Sequence, residues 1–218
     1  MIEDTELARL RQGCYRVLSA GYGRPSVTRV EQIGAGVAAL AAMGLDSFAY
    51  APSVWAWVTA LQGTPIGMVA TEHVRLFGSG VDGALVAPVE SQRLGVNLHG
   101  DPARYAARIE DVMRRAGVEL RNDDKPPDHL LVELELASAL CGAEAADRAA
   151  GGDGSRWLEM QRELIDVMTR WIPGFASEVA DRDTCGALAA LAAATEAFVI
   201  HESDMLRLLL AETAGGSQ

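Results

Sequence analysis

Apolar side chains recur along this chain every three or four residues, the spacing that gathers them on one face of a helix. Leu7, Leu10, Cys14 and Leu18 mark a first helix over residues 5–20, closed by Gly21, Gly23 and Pro25. A second pattern runs from Ser26 through Val30, Ile33, Val37 and Leu40 to Gly44. A third starts near Pro52 and Ser53 and carries Val54, Trp57, Val58 and Leu61 to Gly63. A fourth begins at Pro65 and continues through Met68, Glu72, Leu76 and Phe77. The pattern then fails from Gly78 to Gly100, and so long a connection inside a compact domain is uncommon and usually functional or disordered. Asp101 and Pro102 restart it through Tyr105, Ile109, Val112 and Met113 as far as Gly117, and a second connection, 118–127, follows.

The most apolar helix begins after Pro126-Pro127-Asp128-His129. A prolyl pair stops what precedes it, and Asp128 is the residue expected to cap the new helix. Leu130, Leu134, Ala137 and Cys141 form one stripe, while Leu131, Val132, Leu136 and Leu140 cover most of the remaining surface. A helix apolar nearly all round belongs at the centre of a bundle. His129 and Glu133, four apart, share one side of its first turn beside Asp128. After the break Gly151-Gly152-Asp153-Gly154, Ser155 opens a helix with Trp157, Met160, Leu164, Met168 and Trp171 on one face, which Pro173-Gly174 should end. A last helix, from about Asp183 to Glu212, carries Leu188, Leu191, Thr195, Phe198, Glu202, Met205 and Leu209 in a stripe. No strand pattern or internal repeat emerges. The expectation is an all-α helical bundle forming a single domain over residues 1–218, with hinges near 118–127 or 151–154 where two lobes would join.

Composition supports that reading and narrows the partners. The 218 residues are 49% hydrophobic but only 6% aromatic, which suits a helical core rather than a sheet. A net charge of −11 argues against a nucleic-acid partner, since phosphate binding needs clustered Lys and Arg. Cys14, Cys141 and Cys185 are odd in number, widely spaced and set in apolar patterns, as reduced core cysteines are. The amino terminus is acidic, with no apolar signal core after it. The longest uncharged run, 184–195, falls short of the roughly 18 to 20 residues a membrane span needs. A cytoplasmic protein without membrane insertion is expected.

Several short patterns imitate known chemistry. Gly34-Ala35-Gly36-Val37-Ala38-Ala39 fits a dinucleotide fingerprint but follows helix rather than strand, and no acidic residue stands about twenty positions on. Gly78-Ser79-Gly80-Val81-Asp82-Gly83 fits another, with Pro88 where a helix would have to open; no Walker lysine follows either. Ser91, His99 and Asp101 lack the strand-to-helix elbow of a hydrolase. His129 and Glu133 have the spacing of a metal pair but no third ligand nearby, so no catalytic, cofactor or metal site is assigned.

Four stretches together resemble the TorD/DmsD/NarJ redox-enzyme maturation chaperones. Glu72-His73-Val74-Arg75-Leu76-Phe77 resembles that family's helix ending in Leu-Phe, and Pro88-Val89-Glu90-Ser91 its Pro-aromatic-Glu-Ser segment. Pro127-Asp128-His129-Leu130 with Glu133-Leu134-Glu135 is similar to its Pro-Asp-His-Leu and Glu-Leu-Glu helix, and Trp171-Ile172-Pro173-Gly174-Phe175 to a Trp-x-Pro-x-Phe ending. The chain departs at Val89 and Arg93, where aromatics are common, and at Val167, where a histidine is. The resemblance implies a TorD-like, non-enzymatic cytoplasmic chaperone. It would bind the apo catalytic subunit of a DMSO-reductase-type molybdoenzyme and its twin-arginine leader, assist cofactor insertion and delay export. A leader receptor needs an apolar groove rimmed by carboxylates. Leu76, Phe77, Pro88 and Val89 would supply the first, and Glu90, Asp128 and Glu133 the second, with Ser91 and His129 beside them. A monomer and a domain-swapped dimer are both compatible. The alternative is a small α-helical nucleotide-binding protein or enzyme using the Gly78–Gly83 loop.

Overall fold

The structure is a computed structural model that describes residues 3–78, 84–98, 102–119 and 125–215. Its helices are α1 (Asp4–Tyr22), α2 (Val27–Ala42), α3 (Ala51–Gly63), α4 (Ile66–Phe77), α5 (Glu90–Leu98), α6 (Pro102–Ala116), α7 (Leu130–Ala149), α8 (Ser155–Arg182) and α9 (Ala187–Gly215). Among the described residues there is no β-strand, only an isolated antiparallel bridge between Val89 and His129. The all-α expectation holds. α7 lies along α1, α8 along α9, and α3 on the other side of α9. One continuous apolar cluster, running from Leu10 to Leu209, fills the space between them.

Local chemistry explains most helix ends. Ser26 accepts the Arg29 backbone N–H at 3.2 Å and caps α2. Asp183 starts α9 from a distance, accepting the backbone N–H groups of Cys185, Leu188 and Ala189. The last helix therefore begins at Ala187, four residues later than its sequence pattern suggested. Cys14 and Cys141 are buried and Cys185 half-buried, all as free thiols.

Four further helix boundaries depart from the sequence reading. α1 passes through Gly21, whose missing side chain makes room for the Trp57 ring and Leu191: a Cβ there would lie 2.6 Å and 2.8 Å from them. Residues 90–98, expected as loop, form α5. The residue expected to cap α7, Asp128, instead accepts the Ser91 backbone N–H at 3.0 Å, while His129 caps α7 by accepting the Leu131 N–H on Nδ1 at 3.1 Å. Finally, α8 continues through Pro173 to Arg182. A proline inside a helix costs about 3 kcal/mol. The turns after it bury Phe175, Ala176 and Val179 against the bundle, and that burial outweighs the lost hydrogen bond.

A polar cluster sits within this core. Arg11 of α1 donates from Nε to both carboxylate oxygens of Glu202 in α9, at 3.1 and 3.0 Å, and from Nη1 to Glu144 of α7 at 3.0 Å. Nη2 donates to Gln161 of α8, and Tyr15 donates to Glu202 at 3.0 Å. Burial works against the Arg11 charge, yet Glu202 and Glu144 hold it protonated well above the ordinary range. One guanidinium thus pins four helices.

Candidate functional site

The segments singled out in the sequence meet at one end of α7. Val89 and His129 lie opposite each other in an isolated antiparallel bridge: Leu130 N–H donates to the Pro88 carbonyl and Glu90 N–H to the Asp128 carbonyl, both at 2.9 Å. That pairing fixes the start of α5 against the start of α7, and the Asp128 carboxylate closes it by capping α5. Val86, just upstream, donates its N–H to the carbonyl of Leu76, which brings in the end of α4.

Phe77 extends the neighbourhood into an aromatic group. Its ring stacks on Phe175 of α8 at 6.0 Å and lies 6.0 Å from Tyr22 and 5.4 Å, edge-on, from His73. The guanidinium of Arg93 sits over the other ring of this stack, 5.6 Å from the Phe175 centroid, and also holds the Ala87 carbonyl at 2.9 Å and the Glu178 carboxylate. Where the resemblance anticipates an aromatic, this chain places a cation on an aromatic face instead.

Burial separates the expected groove from the observed one. Glu90 and Glu133 are wholly buried and Asp128 is 2% exposed, so the three carboxylates expected at a rim lie beneath the α5–α6 segment. Leu76, Pro88 and Val89 are buried as well; Phe77, Ser91 and His129 are half-buried. Arg108 of α6, 20% exposed at its side chain, covers the carboxylates and donates from Nη2 to Glu90 Oε2 at 2.7 Å. Its Nη1 reaches the Glu163 carbonyl at 3.3 Å.

The electrostatics follow from that arrangement. Burial, and then the neighbouring Glu90 charge, push Glu133 well above the usual carboxylate range and favour its protonated form; Arg108 opposes and Asp128 reinforces the shift. With both groups written as carboxylates, Glu133 Oε1 and Oε2 and Glu90 Oε1 lack any donor among the described residues. The proton held by Glu133 supplies one, directed at Glu90. His129 is pushed down to about 4 by burial, with Lys125 adding to it. Its Nδ1 accepts the cap bond, so its proton sits on Nε2 and the ring is neutral.

Other sequence suggestions resolve differently. Residues 79–83 of the glycine loop, and His99 and Asp101, lie outside the described residues. Gly34 and Gly36 sit inside α2, where Cβ atoms would crowd Gln62 and Val17 respectively, so those glycines serve helix packing. Among the described residues no group of three or more His, Cys, Asp and Glu is placed to hold a metal ion, and no helix is long and apolar enough to cross a membrane.

Comparison with known proteins addresses the same region. A family model described as nitrate reductase delta subunit matches residues 42–177, well over half of the chain, and both halves of the Val89–His129 pairing fall inside it. The chain belongs to this family. It is the NarJ/TorD-type group of redox-enzyme maturation chaperones that the four motif segments resemble. The delta-subunit fold has a solved counterpart: the crystal structure of a proposed redox enzyme maturation protein from Archaeoglobus fulgidus superposes with a TM-score of 0.55. The alignment covers 85% of this chain and 91% of that one at 19% identity, a likeness of fold. No curated protein matches the chain.

Two residues of this neighbourhood owe their place to partners the sequence did not show. Arg93 was visible only as a departure from the family pattern and Arg108 only as an ordinary amphipathic helix position, and what distinguishes both is a partner contributed by another element. Only an i, i+3 or i, i+4 partner would have been visible in the chain itself.

Proposed function

We propose that this delta-subunit family member is a cytoplasmic chaperone without enzymatic activity. It binds the apo catalytic subunit of a molybdoenzyme and its twin-arginine leader, assists cofactor insertion and delays export until assembly is complete. The observation that carries the reading is the meeting of the Leu76-Phe77, Pro88–Ser91 and Asp128–Glu133 segments in one place within the family-matched region. Leu76, Phe77, Pro88 and Val89 would line the apolar part of the peptide site, and Glu90, Asp128 and Glu133 the acidic part, with Ser91 and His129 between them. Because those carboxylates are buried beneath α5 and α6, a leader reaches them by displacing that segment. One domain over residues 1–218 performs this, as a monomer or a domain-swapped dimer, with no cofactor of its own.

Two linked measurements test the reading. Purification of the tagged chain from its own source cells should recover one large molybdoenzyme subunit with its leader attached. A labelled twin-arginine leader should then raise fluorescence anisotropy on titration, and a version with both arginines replaced by alanine should bind at least tenfold more weakly. Equal binding of the two peptides would refute leader recognition. A rise in melting temperature with GTP or NAD would instead favour a nucleotide-binding function, because a ligand of the folded state must stabilise it.

A further inference from the structure

The carboxyl pair of Glu90 and Glu133 is buried with hydrogen-bonding capacity that the other described residues leave unfilled. Among the described residues, only Glu90 Oε2 of the pair's four oxygens has a donor from another residue type, and that donor is one nitrogen of Arg108. A guanidinium carries five N–H groups in a planar fork and binds a carboxylate best through two parallel hydrogen bonds. Arg108 makes one, and its second terminal nitrogen is drawn off to the Glu163 carbonyl at 3.3 Å. Its side chain is also the solvent-facing member of the pair, while Glu90 is fully enclosed. Arg108 therefore lies across the path by which another guanidinium would enter.

Several of the polar contacts that fasten the segment bearing Arg108 are of a replaceable kind. α5 is tied to α8 through Arg93 and Glu178. α6 is tied to α8 through Arg115 and Glu163, and through Arg156 to the Arg115 carbonyl. Arg115 and Glu163 are more than a third exposed, so water readily takes their place.

We propose that Arg108 is an internal stand-in for a client arginine: it occupies the Glu90–Glu133 receptor in the resting chaperone, and the guanidinium of a basic peptide displaces it. The proposal rests on the leader-binding function above and adds the residue that sets its affinity. Displacement exchanges a monodentate contact for a forked one. It also frees α6, which carries Ile109, Val112 and Met113 on its buried face, to move away from α7. The groups facing the receptor are Glu90 from α5, Arg108 from α6 and Asp128 before α7. Entry of a guanidinium that ionises Glu133 releases one proton.

The test compares a labelled twin-arginine peptide and its twin-lysine counterpart on wild type, Arg108→Gln and Arg108→Lys, by anisotropy at one salt concentration. If the binding-competent state is populated at about 10% or less, removing the competitor tightens apparent affinity by about tenfold or more. Arg108→Gln should show that gain with the arginine peptide and Arg108→Lys a smaller one, while the lysine peptide stays weaker than the arginine peptide on every protein. Binding by wild type with no gain in Arg108→Gln overturns the stand-in role while leaving leader recognition intact. Absence of binding by every protein overturns both. Should Arg108→Gln fail to fold, hydrogen exchange of the wild type decides: saturating arginine peptide must accelerate exchange across residues 102–116, and unchanged or slower exchange there refutes the proposal.

Discussion

Replacing Arg11 with methionine should remove a large share of this protein's folding stability. The side chain is enclosed on all sides and joins Glu202, Glu144 and Gln161, from three different helices. Methionine fills much of the same volume but donates nothing. Glu144 keeps Arg148 at 3.1 Å and the Gln161 amide at 2.9 Å, so it remains supported. Glu202 keeps only the Tyr15 hydroxyl among the hydrogen bonds described, and becomes a buried carboxylate with one donor where it had two. Removing one partner of a buried pair costs about 3–5 kcal/mol, because the other charge is left uncompensated. Against a total stability of about 5–15 kcal/mol for a domain, that is a large share. Urea unfolding followed by circular dichroism should show a lower midpoint at unchanged slope. Adding Glu202→Gln to the variant should recover part of the loss, since it removes the orphaned charge. An exposed pair, Arg207 with Asp204, provides the control, and Arg207→Ala should leave the midpoint where it was. A loss below about 1 kcal/mol for Arg11→Met would refute the argument that this cluster holds the four helices together.

Further outcomes follow from the same geometry. His129 has its folded pKa depressed to about 4 from an ordinary value near 6.5, so its contribution is intact above about 6.5 and lost as pH falls through 4. His129→Asn, which keeps a capping acceptor, should remove up to about 3 kcal/mol of that acid sensitivity in pH-dependent unfolding; an unchanged profile would place the charge elsewhere. Glu133 is shifted the opposite way, so its contribution is full below the ordinary carboxylate range and declines as pH rises towards its folded pKa. Glu133→Gln should therefore flatten the stability profile above the ordinary carboxylate range, and a variant that follows wild type across that range would contradict the raised pKa. Gly21→Ala drives a methyl group into Trp57 and Leu191 and should cost about 1–3 kcal/mol by thermal melting, with unfolding at the wild-type midpoint as the refuting result.

Much of this molecule was legible before any coordinates. Helices α2, α3, α4, α6 and α7 follow from apolar periodicity bounded by Ser26, Pro52, Pro65, Pro102 and Pro127, because helix formation and helix termination are decided by near neighbours. The residues resembling the family's motifs were equally visible as strings. Their side-chain states were not. Asp128 reads as a cap for the helix that follows it, yet the donor it satisfies, Ser91, lies thirty-seven positions earlier. Had that pairing been known, α5 would have been expected, since a capping carboxylate is what a short polar helix needs at its start.

The chain by itself determined the class of fold, the order of its main helices, the family and the segments that meet at the candidate site. Each of these depends on spacing along the sequence. Tertiary structure decided which charges are buried and which partner each one faces: Arg11 between Glu202 and Glu144, Arg108 over Glu90, and Glu133 buried beside Glu90, where its protonated form is favoured. It also carried α8 past Pro173, where burial of Phe175 and Val179 outweighs a local preference to stop. The physical reason is common to all of them. Capping and periodicity act over a few residues, whereas desolvation and charge pairing depend on what folding brings within a few ångströms, and only the packed chain specifies that.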